Sequence, residues 1–467
     1  MKRTAALLAM VTSGALLFSA CGSPSNAGNS AAPSNSSSES AAAGQNITLW
    51  LAGSDTPTAL REYLQETYKK KTGGTLKIEE QTWGDLVTKL TTALPDPNNT
   101  PDVVEVGNTQ SPTFTNVGGF SDITDMYQEL GGDKLLQSFV EVGKVGDKNY
   151  TLPYYYGSRY MFYRKDIYKE AGVSVPKTLD EFNSTVVEIA KKNPKKIDNF
   201  SGFFIGGQDW RNGISWIFAN GGDLAKQENG KWVSTMSDPN TIKGLTQLQN
   251  IYQNASKAPA TAKDQSPWLY INDTDTDVEK DATTEEVTKE TPTKLGAATI
   301  MAPGWAHWSI GKLTKVKDEK TGKMKDAREW DGKVFGVYPL PGNDGNPAPV
   351  FAGGSNIGIS AKSKNQEGSR ELLRIIFSDE YQTLLGENGM GPANSDFNST
   401  LGSDEFAKAL IDSASNSKLT PAAVGWAQVE DKKLLEELFS KISTGGDIAA
   451  LTKEYDAKVT PILNGEG

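Results

Sequence analysis

The sequence predicts an α/β protein in which helices cover a parallel sheet. Three observations predict this class. From residue 47 onward, short apolar runs alternate with amphipathic helical segments in the order β-α-β-α-β, which favours parallel strands joined by crossover helices. The chain has 467 residues, which is enough for two or three hydrophobic cores. Its composition, 37% hydrophobic and 23% charged, is typical of a globular protein.

The opening elements follow from local patterns. The apolar run at 47–51 predicts a strand that ends before Gly53, and Asp55-Thr56-Pro57 supplies an N-cap and an early-turn proline for a helix. That helix places Leu60, Tyr63, Leu64, Thr67 and Tyr68 on one face and stops at Gly73-Gly74. A strand at 76–81, a helix at 86–94 and a strand at 103–106 complete the unit.

Further helices are predicted later in the chain. One begins at Thr178 and carries apolar residues at 186, 187 and 189. Two more have their apolar faces at 372–376 and at 434–439. No repeat of fixed period is visible, which argues against a solenoid.

The N-terminus has the features of an export signal. Lys2-Arg3 precedes an apolar run at 5–18 and the small residues Ser19-Ala20. The segment 17–21 resembles a bacterial lipoprotein lipobox, which implies that Cys21 is lipidated; the alternative is an ordinary secretory signal with a chance cysteine. Residues 22–45 are almost all Gly, Ser, Ala, Asn and Pro. We therefore predict a signal peptide at 1–20 and a lipidated cysteine with a flexible tether at 21–45.

Charge and rare residues exclude several function classes. The formal net charge of −10 argues against nucleic-acid binding, because phosphate backbones require a basic face. Since Cys21 is the single cysteine and His307 the single histidine, the chain cannot form an intrachain disulfide, a cysteine zinc cluster or a two-histidine HExxH site. A Ser-His-Asp triad would have to use His307. No ATP-binding loop of the GxxxxGK[ST] type occurs.

An acidic segment at about 264–294 does not fit a compact core. Its Asp273-x-Asp275-x-Asp277 spacing is one that a calcium loop uses. Val278 and Thr284, however, stand where an EF-hand needs glycine and a bidentate glutamate. We interpret the segment as a solvated surface insertion and predict no metal site.

Short motifs spread over about 46–465 resemble those of the extracellular solute-binding proteins of ABC sugar importers, the group that includes maltose-binding protein. Their order and spacing carry the resemblance. They are the strand with Trp50, Pro101-Asp102-Val103-Val104, Leu152-Pro153-Tyr154, Phe162-Tyr163-Arg164-Lys165-Asp166-Ile167-Tyr168, Ala171-Gly172, Pro176-Lys177-Thr178, Asn220-Gly221-Gly222, Met301-Ala302-Pro303-Gly304-Trp305, Gly353-Gly354-Ser355-Asn356 and Ser363-Lys364-Asn365.

This resemblance implies a two-lobed, hinged periplasmic-binding-protein fold with the ligand held in the cleft between the lobes. The first lobe would comprise 46–153 plus 356–408, and the second 154–352 plus 409–467. It further implies a monomeric, non-enzymatic receptor without a cofactor. The receptor would capture a carbohydrate, such as an oligosaccharide, and deliver it to an ABC permease with a separate ATPase subunit. It would contact the membrane through the lipid anchor alone.

A carbohydrate site needs flat aromatic faces with polar groups around them. The resemblance implies that Trp305, after the bend at Pro303-Gly304, stacks on the sugar, and that Trp426 is a second stacking position. Trp210, beside Asp209 in a glycine-flanked loop, offers an aromatic face and hydrogen bonds. For each of these tryptophans, the alternative to a ligand contact is a position in a hydrophobic core.

Polar candidates follow predicted strands, where open α/β sheets bind ligands. They are Asp55, which is alternatively a helix cap, and Asn108 and Gln110, which depart from the maltose-type pattern. Strand alternation puts Tyr154 and Tyr156 on one side of the first crossing, facing either the cleft or the packed interior. Gly354 and Asn356 either bring backbone near the ligand or form the second hinge turn. We interpret His307 as a surface or rim residue.

Two other functions remain open at this point. A surface-anchored glycoside hydrolase needs two carboxylates across a cleft, and the 58 acidic residues neither exclude nor reveal such a pair. A glycan-binding adhesin would use an exposed aromatic patch instead.

Overall fold

The computed structural model describes residues 44–263, 267–272, 274–280, 287–317, 322 and 324–466. The predicted signal peptide, the lipidated Cys21 and all but the end of the tether lie outside the described residues, as do Asp273 and parts of the acidic segment. Within these ranges, no helix combines the length and the hydrophobicity that a membrane crossing needs.

The fold is built on one eight-stranded sheet in which two long strands, β6 and β15, connect the two ends. Along the sheet the strands follow the order β11, β6, β15, β3, β1 and β2, and β14 and β16 also pair with β6. Their bounds are β1 Ile47–Ala52, β2 Leu76–Gln81, β3 Val103–Gly107, β6 Thr151–Arg164, β11 Thr299–Pro303, β14 Phe335–Tyr338, β15 Ala352–Ile359 and β16 Gly391–Pro392.

The remaining strands of the described ranges form four antiparallel pairs outside this sheet. These pairs are β4 Lys144–Val145 with β5 Lys148–Asn149, β7 Ala225–Glu228 with β8 Lys231–Ser234, β9 Thr274–Lys280 with β10 Val287–Lys294, and β12 Lys312–Lys317 with β13 Met324–Glu329.

Helices cover the sheet and form most of the chain's C-terminal part. They are α1 Thr58–Thr72, α2 Trp83–Ala93, α3 Ser111–Asn116, α4 Gln137–Val142, α5 Lys165–Ala171, α6 Leu179–Lys192, α7 Trp210–Ala219, α8 Pro239–Asn254, α9 Gln366–Ile376, α10 Asp379–Glu387, α11 Glu405–Ser415, α12 Trp426–Asp431, α13 Leu434–Ser443 and α14 Ile448–Leu463. Short 3-10 helices within the described ranges lie at Thr124–Met126, Gly132–Lys134, Pro267–Tyr270, Gly304–Ser309 and Ser395–Leu401.

The predicted β-α-β-α-β opening is confirmed. Strand β1 pairs in parallel with both β2 and β3. Helix α1 buries Leu60, Leu64 and Tyr68 against the sheet, and it ends at Gly73, whose φ of 73° is a left-handed conformation that glycine adopts without strain. The helices predicted from 178, 372 and 434 are also present, as α6, α9 and α13.

The start of α1 differs from the alternative in which Asp55 caps it. Pro57 occupies the N-cap position, and no side chain there accepts a backbone hydrogen bond. The Asp55 carboxylate is instead engaged by Trp83 and Tyr155. Asp55 is therefore turned away from the helix and toward the end of the sheet.

Strands β6 and β15 cross between two halves of the molecule. The first half of β6 pairs with β15, and β15 in turn pairs with β3. The second half of β6, from Arg159 onward, pairs with β11 and β14. Each half has its own core. We call these halves the first lobe, packed around Leu49, Leu64, Leu152, Ile357 and Leu372, and the second lobe, packed around Phe182, Ile214, Leu248, Leu438 and Phe439.

This architecture agrees with the predicted α/β class and its two-lobed form. The exact lobe limits remain predictions. Two of the limits proposed from the sequence, after 153 and after 352, fall inside the crossing strands β6 and β15, and the limit after 408 falls inside α11.

Asp102, in the motif before β3, connects segments of the first lobe that are far apart in the sequence. Its carboxylate accepts hydrogen bonds from the backbone N–H of Thr48 at 2.8 Å, from the Ser363 hydroxyl at 2.5 Å and from the Asn365 amide at 3.2 Å. It therefore joins β1 to the turn that precedes α9.

We expect Asp102→Ala to destabilise the protein by about 2 kcal/mol, because it leaves buried donors without an acceptor. Chemical denaturation of the wild type and the variant measures this difference. Asp102→Asn is the matched control, since its amide oxygen still accepts one of these bonds and should recover part of the loss. Equal stability of wild type and Asp102→Ala would contradict this interpretation.

Candidate binding site between the two lobes

The carboxyl ends of strands from both lobes meet where the chain crosses. In the first lobe, Gly107 at the end of β3 lies opposite Ser355 of β15. In the second lobe, Pro303 at the end of β11 lies opposite Arg159 of β6. Open α/β sheets bind ligands at such strand ends. This junction is therefore where a binding site is expected.

Trp83 forms the first-lobe wall of this junction. A Cβ built on Gly53 would lie 2.9 Å from its Cδ1, and one built on Gly107 would lie 3.3 Å from its Cζ3, so the indole spans the ends of β1 and β3. Its side chain is 39% exposed, and its Nε1 donates to Asp55 at 2.9 Å. Trp83 thus presents an aromatic surface that is held in place by a carboxylate.

Asp55 and Glu105 are the two carboxyls at this end of the first lobe's sheet. The Tyr155 hydroxyl donates to Asp55 Oδ2 at 3.1 Å, whereas Glu105 accepts from the backbone N–H of Ala52 and from the Ser355 hydroxyl. Burial raises the pKa of Asp55, while the Trp83 and Tyr155 hydrogen bonds oppose that rise. Burial also raises the pKa of Glu105, to about 8. Of the two carboxyls, Asp55 is the one near the surface.

The loop after β3 carries two further predicted residues. Asn108 is buried, and its Nδ2 donates to the carbonyl of Ala352 in β15 at 3.0 Å. Gln110 precedes α3, and its buried Oε1 has no hydrogen-bond partner among the described residues. The structure therefore places both residues at the junction, with Asn108 fastened to the second crossing strand.

Trp210 and Trp426 lie together on the second-lobe side, and both are 1% exposed. Their ring centroids are 6.4 Å apart, and the Arg211 guanidinium lies 4.4 Å from the centre of the Trp210 ring. The Trp426 Nε1 donates to Glu430 at 2.8 Å. Both rings belong to the core of the second lobe, and their predicted contact with a ligand remains a prediction.

Asp209 caps the helix that carries Trp210. It accepts from the backbone N–H of Asn212 at 3.1 Å and from the Asn212 side chain at 2.6 Å, and Asn212 in turn accepts from Arg159 of β6 at 3.0 Å. Asp209 therefore holds the start of α7 against the crossing strand rather than facing solvent.

The two lobes touch where α12 meets α3. Glu430 belongs to α12, and its carboxylate lies 4.0 Å from the Arg211 guanidinium. Burial raises the pKa of Glu430, and Arg211 opposes this effect. The contact between α3 and α12 thus joins the segment after β3 to the second lobe across the junction.

Trp305 follows the end of β11 and is 56% exposed, as expected of a stacking residue. It makes an edge contact with Trp268 at 4.8 Å, and Trp308, 70% exposed, lies nearby in the same 3-10 helix. His307 is partly buried, its Nδ1–H donates to the carbonyl of Gly304 in its own turn, and its ring stacks on Phe406. Its packing lowers its pKa through burial. An exposed aromatic patch therefore begins at the junction end of the second lobe.

The crossing tyrosines do not alternate as predicted. A bulge between Ser355 and Asn356 shifts the pairing of β15 with β6, so the Tyr154 and Tyr155 rings touch at 5.3 Å instead of facing opposite sides. Tyr154 is fully buried and bonds Tyr381, whereas Tyr156 bonds Asn398. The expectation that Tyr154 and Tyr156 share a side is wrong, because it assumed an uninterrupted strand.

Gly354 and Asn356, the predicted site residues of the second crossing strand β15, contact other parts of the protein. Gly354 has a φ of 135°, and a Cβ there would lie 2.4 Å from the Tyr155 carbonyl oxygen. Asn356 is buried and donates to Phe139 O and to Thr151 Oγ1. Both residues shape the crossing, and their contact with a ligand stays a prediction.

Sequence reasoning missed Trp83, Tyr155, Glu105 and Glu430. Trp83 could have been found, because it directly follows β2 and the rule that selected Asp55 applies to it equally. Tyr155 was assigned to the wrong side by strict alternation. Glu105 and Glu430 give no local signal, because their role comes from partners far away in the chain.

Among the residues that the structure describes, no three His, Cys, Asp or Glu side chains are grouped closely enough to hold a metal ion. On the opposite face of β6, Tyr156 lines a cavity of about 450 Å³ between α4, the 3-10 helix at 395–401 and the end of α11.

Comparison with known proteins gives consistent matches along the chain. A family model described as bacterial extracellular solute-binding protein matches residues 53–383. The diacetylchitobiose binding protein DasA of Streptomyces coelicolor is 28% identical over 420 residues, 89% of each chain. A probable ABC transporter-binding protein of Deinococcus radiodurans is 22% identical over about half of each chain.

Solved structures share the fold. The sugar-binding protein MalE of Xanthomonas citri has a TM-score of 0.69 at 18% identity, covering 90% of this chain and 97% of its own. The GacH receptor of Streptomyces glaucescens, solved unliganded and with acarbose, has a TM-score of 0.66 at 17% identity, covering 90% and 98%. These similarities confirm the predicted two-lobed fold.

We expect Glu430→Ala to loosen the contact between the lobes and to reduce stability by about 1–3 kcal/mol, since the buried Trp426 N–H loses its acceptor. X-ray scattering of the ligand-free protein should give a larger radius of gyration, and thermal unfolding should report the loss of stability. Glu437→Ala is the matched control, because Glu437 pairs with Lys441 on the exposed face of α13. An unchanged radius of gyration in Glu430→Ala would mean that this contact does not hold the lobes together.

Proposed function

Because the chain belongs to the bacterial extracellular solute-binding protein family, we propose that it captures an oligosaccharide between its two lobes and delivers it to an ABC transporter permease. The observation that carries the proposal is the placement of exposed indoles beside polar groups at the junction. Trp83 offers its ring in the first lobe, and Trp305 offers its ring in the second. Sugar rings stack on such faces while their hydroxyls bond the groups at the edges.

Unsatisfied polar atoms support a polar ligand. Gln110 Oε1, Ser158 Oγ and Trp210 Nε1 are buried, and none has a hydrogen-bond partner within the described part of the chain. Buried polar atoms without partners cost free energy, so a ligand that supplied hydroxyls here would gain from satisfying them. Domain closure around the ligand is the motion that this architecture allows.

The relatives suggest the class of sugar. DasA is named for diacetylchitobiose, and the solved structures include proteins described as binding maltose, acarbose and cyclic alpha-maltosyl-1,6-maltose. We propose an oligosaccharide rather than a monosaccharide, because Trp83 and Trp305 stand on different lobes and each indole can cover one ring. The β-linked amino-sugar disaccharides and the α-linked glucans are the two series to compare first.

We further propose that the protein is monomeric, not an enzyme, and attached outside the cell membrane through lipid on Cys21. The permease would be served by a separate ATPase subunit. Against the hydrolase alternative stands the burial of Glu105, because this carboxyl has no exposed surface and cannot reach a glycosidic bond as a partner of Asp55.

A thermal-shift screen against mono-, di- and oligosaccharides tests this function. A ligand at 100 times its Kd should stabilise the folded state by about 2.7 kcal/mol. We expect a selective shift with one oligosaccharide series and no cleaved product on long incubation. Cleavage of the sugar would support the hydrolase. If the protein binds insoluble glycan but does not respond to short sugars, the adhesin is supported. No response to any sugar would contradict the proposal.

We expect Trp83→Ala and Trp305→Ala each to weaken the affinity for that sugar by about 2 kcal/mol, roughly 30-fold, as for truncated aromatic anchors in other interfaces. Isothermal titration calorimetry measures the change. Trp232→Ala is the matched control, because this half-buried indole belongs to β8, which packs on α14. Unchanged affinity in both Trp83→Ala and Trp305→Ala, with the fold intact, would show that the ligand lies elsewhere.

A further inference from the structure

Trp308 is the most exposed large apolar side chain among those that the structure describes. Its exposure is 70%, and Trp305, three residues earlier in the same 3-10 helix, is 56% exposed. Contiguous exposed apolar surface on a globular protein commonly marks a place that binds a partner or a ligand. Two exposed indoles on one short helix therefore call for a ligand that covers both.

The helical geometry places these two indoles on one edge of the helix. In a 3-10 helix, side chains three residues apart eclipse each other, and the axis rises by about 2 Å per residue. Trp305 and Trp308 therefore start from the same edge, with their backbone positions about 6 Å apart along the axis. The burial of the segment agrees with this period, because Ala306 is buried whereas Gly304 and His307 are both half-buried.

Contacts at both ends hold this helix on the second lobe. At its start, the Tyr160 hydroxyl of β6 donates to the Gly304 carbonyl at 3.3 Å, and a Cβ built on Gly304 would lie 3.3 Å from the Tyr160 ring. At its end, the backbone N–H of the fully buried Ile310 donates to the His307 carbonyl at 3.2 Å. The edge that carries the two indoles is therefore part of the packed lobe.

The Trp308 indole is supported by a neighbouring ring and is otherwise exposed. The His307 imidazole lies 4.1 Å from it, and this imidazole stacks on Phe406 at 4.7 Å. The hydrogen bond from His307 Nδ1 to the Gly304 carbonyl, 2.7 Å long, fixes the imidazole in turn. A supported ring loses little conformational freedom when a ligand stacks on it, which favours binding.

We propose that Trp308 is a specificity-determining residue that stacks on one sugar ring beyond the ring held at Trp305. This inference rests on the proposed function and narrows its substrate class to oligosaccharides long enough to extend out of the junction. Trp305 follows the end of β11 at the junction, and Trp308 lies one turn farther along the helix. The occupant of Trp308 is the outer end of the same sugar, because this aromatic surface continues from the candidate site.

The dependence of affinity on sugar length tests this role. The probes are chito-oligosaccharides and maltodextrins, each from the disaccharide to the hexasaccharide, titrated by calorimetry into the wild type and the variants. In the series that binds, Trp308→Ala should weaken the hexasaccharide affinity about tenfold, as for a truncated aromatic anchor, and change the disaccharide affinity less than about twofold. Trp308→Phe keeps a ring and should recover part of the loss, whereas Trp305→Ala should weaken the affinity at every length.

The matched control is Val175→Ala. It also shortens an exposed apolar side chain of the second lobe, in the loop between α5 and α6, and should leave the affinities unchanged at all lengths. In protein labelled with ¹⁵N-tryptophan, the indole signal of Trp308, assigned by Trp308→Phe, should shift with the hexasaccharide and stay in place with the disaccharide.

The outcomes separate this inference from the proposed function. If the wild type binds neither sugar series, the proposed function fails and the inference fails with it. If the wild type binds a series but Trp308→Ala has the same affinity as the wild type at every length, or loses the same factor at every length, the inference alone is wrong. A Trp308 indole signal that does not respond to a bound hexasaccharide would also overturn the inference alone.

Discussion

The pairing of β6 with β15 is the interaction on which the rest of the structure depends. Both strands belong to both lobes, and their hydrogen bonds with each other span the crossing. This pairing brings the carboxyl ends of β1 and β3 on one side next to the end of β11 on the other. The site therefore depends on the crossing, because the residues that line it belong to two lobes that share β6 and β15.

The two walls of the site differ in how they are held. On the first-lobe side, Trp83 is partly exposed and is held by the hydrogen bond that its indole N–H donates to Asp55. On the second-lobe side, Trp210 and Trp426 are packed under Arg211 and Glu430, while Trp305 stands free at the rim. One wall is thus ready for contact, whereas the two tryptophans of the other are buried in the core of the second lobe.

Much of the fold was predictable because it depends on local patterns. The apolar alternation and the glycine stop at 73 define β1, α1 and β2 to within a few residues, and the parallel order follows from their sequence. Trp305, after the bend at Pro303-Gly304, is exposed, and its stacking on a sugar stays a prediction.

Much of the site was not predictable, because it depends on contacts between residues that are far apart in the sequence. The burial of Trp426 depends on Trp210, more than 200 residues away, and the orientation of Tyr155 depends on a bulge against β15. No window of the sequence contains both partners of such a contact. Strict strand alternation therefore misplaced Tyr154 and Tyr156, and the buried Glu105 looked like any surface glutamate.

The discontinuity of the first lobe also sets the order in which the molecule can form. Strand β3 lacks its second neighbour until β15 has been made, and the first core lacks Ile357, Leu372 and Tyr381, so the early β-α-β-α-β segment cannot close its core alone. During synthesis much of the second lobe emerges before the first can be completed, and helices α12, α13 and α14 of the second lobe follow later. Such distant pairing makes folding slow. For a member of the bacterial extracellular solute-binding protein family, slow completion keeps an unfolded form available for longer.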